Sequence, residues 1–225
     1  MTLAELLEAL RIRLDDTANG NLWSDETLIG FLNEAVRQAT IRLRSIRDAE
    51  TEAVCKITLV PGQLTYDVHP AVLSVCTATI DDRRTPLCLT TTKRLEKIEG
   101  AWYIDTDTGC PEFLVLDYTT GKLALYPRPD AAGTLNLSVW RMTLDSEQML
   151  AEGDPPYGVH PAHHFDLLDW AEHLAYGIKD AETHDPDRSA MAEARFTAKF
   201  GRLPSALEMR LWGLQRIVGV PAEFL

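Results

Sequence analysis

The sequence has no long run of apolar residues, and it is short of basic side chains. Its 225 residues include 22 Lys or Arg against 34 Asp or Glu, so the formal net charge is −12. No stretch is long enough to form a membrane-spanning helix and no signal pattern opens the chain, so neither secretion nor membrane spanning is expected. The negative charge argues against broad adhesion to DNA, RNA or anionic membranes. A hydrophobic fraction of 45% permits a packed core.

Cysteine pairs suited to metal or redox chemistry are also missing. Cys55, Cys76, Cys88 and Cys110 form no CxxC pair, and their spacings fit no zinc knuckle. We therefore expect small apolar residues in strands, kept as free thiols in a reducing cytoplasm. No cofactor is predicted.

The common catalytic and phosphate-binding motifs are absent. Gly121-Lys122 ends like a phosphate-binding loop, but Leu116 stands where the first glycine is needed and Leu123 where Ser or Thr is needed. Neither GxGxxG nor GxSxG occurs. The carboxylate pairs Asp81-Asp82 and Asp105/Asp107 lie beside turn-forming residues, which favours loop aspartates over an acid–base pair. No catalytic residue is predicted.

One cluster of metal-binding residue types lies between residues 160 and 173. Imidazole and carboxylate groups suit transition metals, so a metal-dependent hydrolase in this region is an alternative function. The HExxH pattern is absent and nothing identifies a catalytic base, which favours a polar helix face over a metal site. The cluster consists of His160, His163, His164, Asp166, Asp169, Glu172 and His173.

Helical periodicity dominates the first 50 residues. The apolar stripe over Leu3–Leu14 predicts a first helix, which a polar, glycine-containing stretch ends. A second helix is predicted over Asp25–Ala49, because Ser24 is a good N-cap and Trp23 and Leu28 have hydrophobic-staple spacing. Its apolar face requires a packing partner. That face consists of Leu28, Leu32, Ala35, Ala39, Leu43 and Ile46.

The periodicity changes at about Thr51. Several short segments with strand-like patterning alternate with turn residues such as Pro61-Gly62, which indicates an antiparallel sandwich or small barrel. A short helix is predicted over Thr92–Ile98. The predicted strands are Val54–Val60, Leu64–Val68, Val72–Ile80, Thr85–Leu89, Glu112–Tyr118, Lys122–Tyr126 and Thr134–Met142.

Helical patterning returns after the loop at residues 154–158. One helix is predicted over Ala162–Ala181, and a second from the Asp185-Pro186 start to Gly201. A third begins at Ser205, where Glu208 completes the spacing of a capping box, and ends at Gly219. The stripe of this last helix consists of Leu207, Leu211, Leu214 and Val218.

The order of helices, strands and helices predicts an α+β protein. We expect a discontinuous helical domain from both chain ends, formed by residues 1–50 and 160–202. An antiparallel β domain over residues 51–142, sandwich or barrel-like, is inserted into it. Residues 203–225 are predicted to form a C-terminal helical arm.

The C-terminal arm is the predicted partner-binding site. It follows a helix break and the compact fold has no evident need of it, whereas tryptophan and arginine are favoured anchors at interfaces. Ordinary packing of the helix onto its own chain is the alternative. The candidate residues are Leu207, Arg210, Leu211, Trp212, Leu214 and Arg216.

Six short motifs occur in order along most of residues 20–200. They are the helix entry Trp23–Ala35, the hairpin Leu59–Tyr66, Trp102-Tyr103, Gly109–Phe113, Lys122–Asp130 and the helix opening Pro161–Leu168. Their order and spacing resemble a tailed-phage head-to-tail adaptor of the kind that joins portal to tail in short-tailed phages. The chain departs from that pattern after the hairpin, where Asp67-Val68 replaces the usual Leu-Pro.

The resemblance implies a structural virion protein and not an enzyme, made in the bacterial host cytoplasm and placed at the head–tail junction. It implies a homo-oligomeric ring, commonly of twelve copies, that binds the portal protein and a tail nozzle or tube protein. Such a ring extends the DNA channel, and DNA passes through without specific binding. The resemblance also places residues 203–225 on the portal. A head-completion connector of long-tailed phages is a further alternative, although the β insertion makes it less natural.

Overall fold

The chain folds as two compact units. The computed structural model describes residues 1–17, 22–81, 83–179, 183–205 and 208–209. The first unit, here the helical unit, holds Met1–Ile46 and Met142–Leu203; the second, the β unit, holds Arg47–Arg141 and the segment that begins at Pro204. Helices and sheets are both present, so the predicted α+β class is confirmed. None of the described helices has the length and apolar character that a membrane crossing requires.

The regular elements alternate as the periodicity indicates. The helices are α1 (Leu3–Arg13), α2 (Asp25–Leu43), α3 (Glu52–Cys55), α4 (Thr92–Glu99), α5 (Leu167–Gly177) and α6 (Pro186–Phe200). The strands are β1 (Ile46–Asp48), β2 (Lys56–Leu59), β3 (Thr65–Asp67), β4 (Val72–Ile80), β5 (Cys88–Thr90), β6 (Thr108–Gly109), β7 (Phe113–Thr119), β8 (Lys122–Tyr126), β9 (Arg128–Pro129) and β10 (Gly133–Arg141).

The long helices begin at the predicted caps. Ser24 Oγ accepts the Thr27 N–H at 3.2 Å at the start of α2, and an Asp185 carboxylate oxygen accepts the Arg188 N–H at 3.0 Å at the start of α6. Each bond satisfies an N–H that has no partner within the helix. Both predicted helix starts are therefore confirmed.

The core of the helical unit forms where α5 packs against α2 and α6. Leu6 and Leu10 from α1, Leu28 and Leu32 from α2 and Phe196 from α6 are fully buried. Burying each such side chain contributes roughly 1.5–3 kcal/mol, so packing of the apolar stripes stabilises these helices more than intrinsic propensity does.

The predicted length of the second helix is wrong. The helix ends at Leu43, because Arg44 adopts a left-handed conformation with φ 48° and its N–H bonds to the Thr40 carbonyl. Ile46, which the periodicity assigned to the helix face, instead begins β1, and β1 pairs with β10. Strand pairing with a residue far along the chain thus overrides a continuing helical pattern.

The predicted helix over 162–181 is also too long. Pro161–His163 form a 3-10 turn in which the His160 ring accepts the Ala162 N–H at 3.2 Å. The α-helix starts only at Leu167 and ends at Gly177. A tight turn that begins with proline satisfies its own backbone groups locally, and this delays the start of the α-helix.

The β unit contains two four-stranded sheets and one two-stranded sheet. In the first sheet β10 pairs with β1, β2 and β4, and in the second the order is β3-β8-β7-β5. The pairs formed by β10 with β2 and β4, and by β8 with β3 and β7, are antiparallel. However, β5 pairs with β7 and β6 with β9 in parallel. The insertion is therefore not wholly antiparallel, contrary to the prediction.

The predicted strand over Val54–Val60 begins too early. Thr51 starts a single helical turn, α3, in which its carbonyl accepts the N–H groups of Val54 and Cys55 at 3.0 and 2.8 Å. The strand β2 follows only at Lys56. The hydrogen bonds to the Thr51 carbonyl therefore outweigh the strand preference that the β-branched residues of this segment indicate.

The cysteines do not all occupy the apolar strand positions that were predicted for them. All four are free, but Cys88 is exposed, Cys55 closes α3 and Cys110 lies outside the strands, so only Cys76 is a buried strand residue. Burial raises the pKa of the Cys55 thiol to about 11, and the neighbouring Asp48 charge acts in the same direction. Cys55 is thus held as a neutral thiol at physiological pH.

A buried ion pair joins the two ends of the β insertion. Arg141 Nε donates to Asp48 Oδ2 at 2.5 Å, and both side chains are almost fully buried. The N–H groups of Glu50 and Thr51 donate to Asp48 Oδ1 at 2.9 and 3.0 Å. Burial alone would raise the pKa of Asp48, but the hydrogen bonds from Thr51, Glu50 and Arg141 outweigh it and hold this pKa well below its usual range.

Candidate docking interface

The predicted docking arm begins with the helix start that its sequence indicates. The Ser205 N–H donates to Glu208 Oε2 at 2.8 Å, and the Glu208 N–H donates to Ser205 Oγ at 3.2 Å. This reciprocal pair is a capping box, and the prediction is confirmed. The Met209 N–H donates to the Ser205 carbonyl at 2.9 Å, which is the i to i−4 hydrogen bond of an α-helix.

The six predicted partner-binding residues lie outside the described part of the chain. They are Leu207, Arg210, Leu211, Trp212, Leu214 and Arg216. Their docking role therefore stays a prediction, as does the division into two domains and an arm.

Met209 lines a groove on the β unit. The groove has a volume of about 580 Å³, and its residues come from the first half of β4, the end of β7, the start of β8 and Val68 after β3. Eight of its fourteen lining residues are apolar or aromatic, and six of these eight are partly exposed. The apolar and aromatic lining consists of Val68, Val72, Leu73, Val75, Leu116, Tyr118, Leu123 and Met209. Covering such a surface is favourable by roughly 25 cal/mol per Å².

The tight turn between β7 and β8 shapes one end of the groove. Gly121 has a φ of +74°, which an L-residue with a side chain rarely adopts, and Thr119 pairs with Lys122 across the turn. Lys122 Nζ in turn lies 2.7 Å from an Asp67 carboxylate oxygen. Both partners of this ion pair are substantially exposed, so the pair contributes little stability.

Asp117 and Tyr118 add a carboxylate and an aromatic ring to the lining of the groove. Asp117 Oδ1 accepts the N–H and the hydroxyl of Thr92 at 2.6 and 3.0 Å, which ties β7 to the start of α4. The ring of Tyr118 lies edge-on to the buried ring of Trp102, with the centroids 5.2 Å apart. These contacts hold both groove residues in place within the β unit.

Sequence reasoning missed this groove. Its residues come from segments that are far apart along the chain, and only the sheet pairings bring them together. The available signal was local and weak: Leu116 and Tyr118 share one face of β7 at the two-residue spacing of a strand. Such a pair is equally typical of a strand face covered by its own domain.

The histidine-rich region does not converge on one point. His163 Nδ1 lies 2.9 Å from an Asp166 carboxylate oxygen, and His173 Nδ1 lies 3.0 Å from Ser189 Oγ. His164 is buried, with Nε2 at 3.0 Å from the Val159 carbonyl oxygen. Among the described residues, no group of three or more His, Cys, Asp or Glu side chains is arranged to hold a metal ion.

The carboxylates of that region serve a different interaction. Asp169 and Glu172 of α5 are buried, and Arg195 of α6 donates to them at 2.8 and 2.5 Å. Arg13 of α1 donates to Asp169 at 2.8 Å. The hydrogen bond with Asp169 raises the pKa of Arg195, and the charge of Glu172 adds to this effect. The network ties three helices together, so these residues have a structural explanation.

These observations define an α+β protein, with buried ion pairs that link its elements and a capped helix that begins beside a groove. A family model described as SU10 adaptor protein matches residues 1–218, and the chain belongs to that family. It is accordingly a phage structural adaptor of the head-to-tail kind, as the motifs indicated, and a virion component. Membership implies association with portal and tail proteins, and the family is structural and not enzymatic. No curated protein matches the chain.

Proposed function

We propose that this adaptor forms a homo-oligomeric ring of twelve copies that joins the portal vertex to the tail of a short-tailed phage. The ring extends the DNA channel and presents a platform to a tail nozzle or tube protein. The observation that carries the proposal is the family match over residues 1–218, because it includes both units and most of the arm. Heterologous contacts between neighbouring copies close the ring around a rotation axis.

The C-terminal arm supports the proposal as the element that docks on the portal. Its capping box fixes the start of a helix, and the residues that follow supply leucines, a tryptophan and arginines. Tryptophan and arginine are favoured anchors at protein interfaces, and the leucines form an apolar stripe that requires a covering partner.

The charge of the chain supports the role of a DNA conduit. Residues 143–193 hold twelve Asp or Glu against one Lys and one Arg. Asp169 and Glu172 are buried in ion pairs, but the solvent-exposed carboxylates repel the phosphate backbone, so DNA passes without the counterion release that drives non-specific binding.

Mixing the full-length adaptor with its purified portal tests the proposal. Native mass spectrometry and negative-stain imaging should show a ring of adaptors seated on the portal ring. A portal that never retains the adaptor would overturn the docking role, and a different number of copies would overturn the twelve-fold stoichiometry. The variant Leu214→Glu should lose docking, whereas the matched variant Ile104→Glu, at an exposed position of the β unit, should retain it.

A further inference from the structure

A helix that continues from Ser205 would turn toward the groove the face that contains Met209, since Met209 lines the groove. In a helix, residues three and seven positions further on share a face with the starting residue. After Met209 these residues are Trp212 and Arg216. In such a helix the leucine stripe, Leu207, Leu211 and Leu214, would fall on the opposite face, about 180° away at 3.6 residues per turn.

We propose that the groove of the β unit holds the arm of the same chain by the face formed by Met209, Trp212 and Arg216. The leucine stripe is then turned outward, where a partner can cover it. The outward role of the stripe rests on the proposed docking function, but the groove contact needs no partner. This assignment divides the predicted site residues: Trp212 and Arg216 anchor the arm, Leu207, Leu211 and Leu214 dock, and Arg210 lies between the two faces.

The lining of the groove matches this anchoring face. Half-buried Leu73 and Leu116 offer an apolar surface to an indole, and the Tyr118 ring offers an aromatic partner. Asp117 supplies a carboxylate for the Arg216 guanidinium, because Thr92 takes only Oδ1, and Oδ2 has no hydrogen bond within the described residues. Met209 to Arg216 spans about 10 Å along a helix, which keeps all three side chains near the groove.

The position of Met209 favours the same chain over a second copy as the occupant. Met209 already lines the groove, and the chain continues from there through residues 210–225. A segment tethered at the site has a high effective concentration, whereas a second copy must lose translational and rotational freedom to bind.

Site-specific photo-cross-linking in the full-length protein tests the assignment. The residue p-benzoylphenylalanine is placed at position 212 in one protein and at position 214, on the opposite face, in another. At low protein concentration the probe at 212 should form an intramolecular cross-link to residues of β4, β7 or β8, with a yield several-fold above that of the probe at 214. Peptide mass spectrometry identifies the partner residues.

A groove variant provides the second arm of the test. Leu73→Glu should lower the cross-link yield from position 212 several-fold, whereas Ile98→Glu, exposed and outside the groove, should not change it. Thermal unfolding of both variants checks that each is folded. If Leu73→Glu fails to fold, Tyr118→Ala replaces it with the same expected loss.

Three outcomes would overturn the inference. A higher yield from 214 than from 212 would show that the leucine stripe faces the groove. Cross-linked dimers would identify a second copy as the occupant, and no cross-link at all would leave the groove for another ligand. None of these outcomes involves the portal, so failure here is separate from failure of portal docking.

Discussion

At the scale of single residues, Asp48 and Arg141 are the clearest structural pair. They lie next to the positions where the chain enters and leaves the β unit, and both are buried. Breaking a buried pair is costly, because the remaining charge stays buried and loses its oppositely charged partner. The pair therefore holds together the two ends of the β insertion, and its loss should measurably lower the free energy of unfolding.

We expect Asp48→Asn to lower the free energy of unfolding by about 3–5 kcal/mol, since it removes the buried carboxylate charge that accepts from Arg141 Nε. Urea titration at neutral pH measures the change. The control Asp67→Asn breaks the exposed pair with Lys122 and should cost about 0–1 kcal/mol. An equal loss of unfolding free energy in the two variants would contradict a special stabilising role for the Asp48–Arg141 pair.

The same pair predicts an acid dependence. The folded protein lowers the pKa of Asp48 below its value in the unfolded chain, so its charged form stabilises the fold above about pH 4. This contribution is lost as the pH falls below that value, because the unfolded chain then binds a proton that the folded protein excludes. The difference in unfolding free energy between the natural protein and Asp48→Asn should shrink from about pH 6 to about pH 3. A constant difference across this range would count against a charged Asp48.

At the scale of elements, the network of Arg13, Asp169, Glu172 and Arg195 joins α1, α5 and α6. It explains why a region rich in acidic residues and histidines forms a stable helix pair. Of the three carboxylates that could have served a metal, Asp169 and Glu172 are held by guanidinium groups, and Asp166 lies 2.9 Å from His163 Nδ1.

We expect Arg195→Met to destabilise the helical unit by about 1–3 kcal/mol, because it leaves the buried carboxylates of Asp169 and Glu172 with less compensation. Chemical unfolding followed by helical circular dichroism measures the loss. Lys199→Met is the control from the same helix, since Lys199 is exposed and 3.9 Å from Asp166; its effect should stay within about 0.5 kcal/mol. If Arg195→Met leaves the free energy of unfolding unchanged, packing alone joins these helices.

At the scale of the whole molecule, we expect the arm to be required for docking on the portal but not for folding. Removal of residues 203–225 should leave a cooperatively folded protein, since the buried core side chains of the described residues all lie before this segment. The truncated protein should no longer be retained by the portal. Thermal unfolding and portal retention are measured on the same preparation, beside the full-length chain. An unfolded truncation product would place the arm in the core instead.

The sequence predicted those features that depend on neighbours along the chain. The caps at Ser24, Asp185 and Ser205 are short-range hydrogen bonds, and the α+β class follows from periodicities read over a few turns or strand residues. The partner-binding role of the arm residues was inferred in the same way, from spacing and residue type, and stays a prediction. Local chemistry is sufficient for such features because both partners are close in the sequence.

Only the tertiary structure decided features that join distant segments. The end of α2 at Leu43 reflects the pairing of β1 with β10, and Asp169 is engaged by Arg13 and Arg195 from two other helices. The groove beside Met209 exists because separate strands meet there. Burial and pairing energies belong to the folded arrangement, so no local window of sequence contains them.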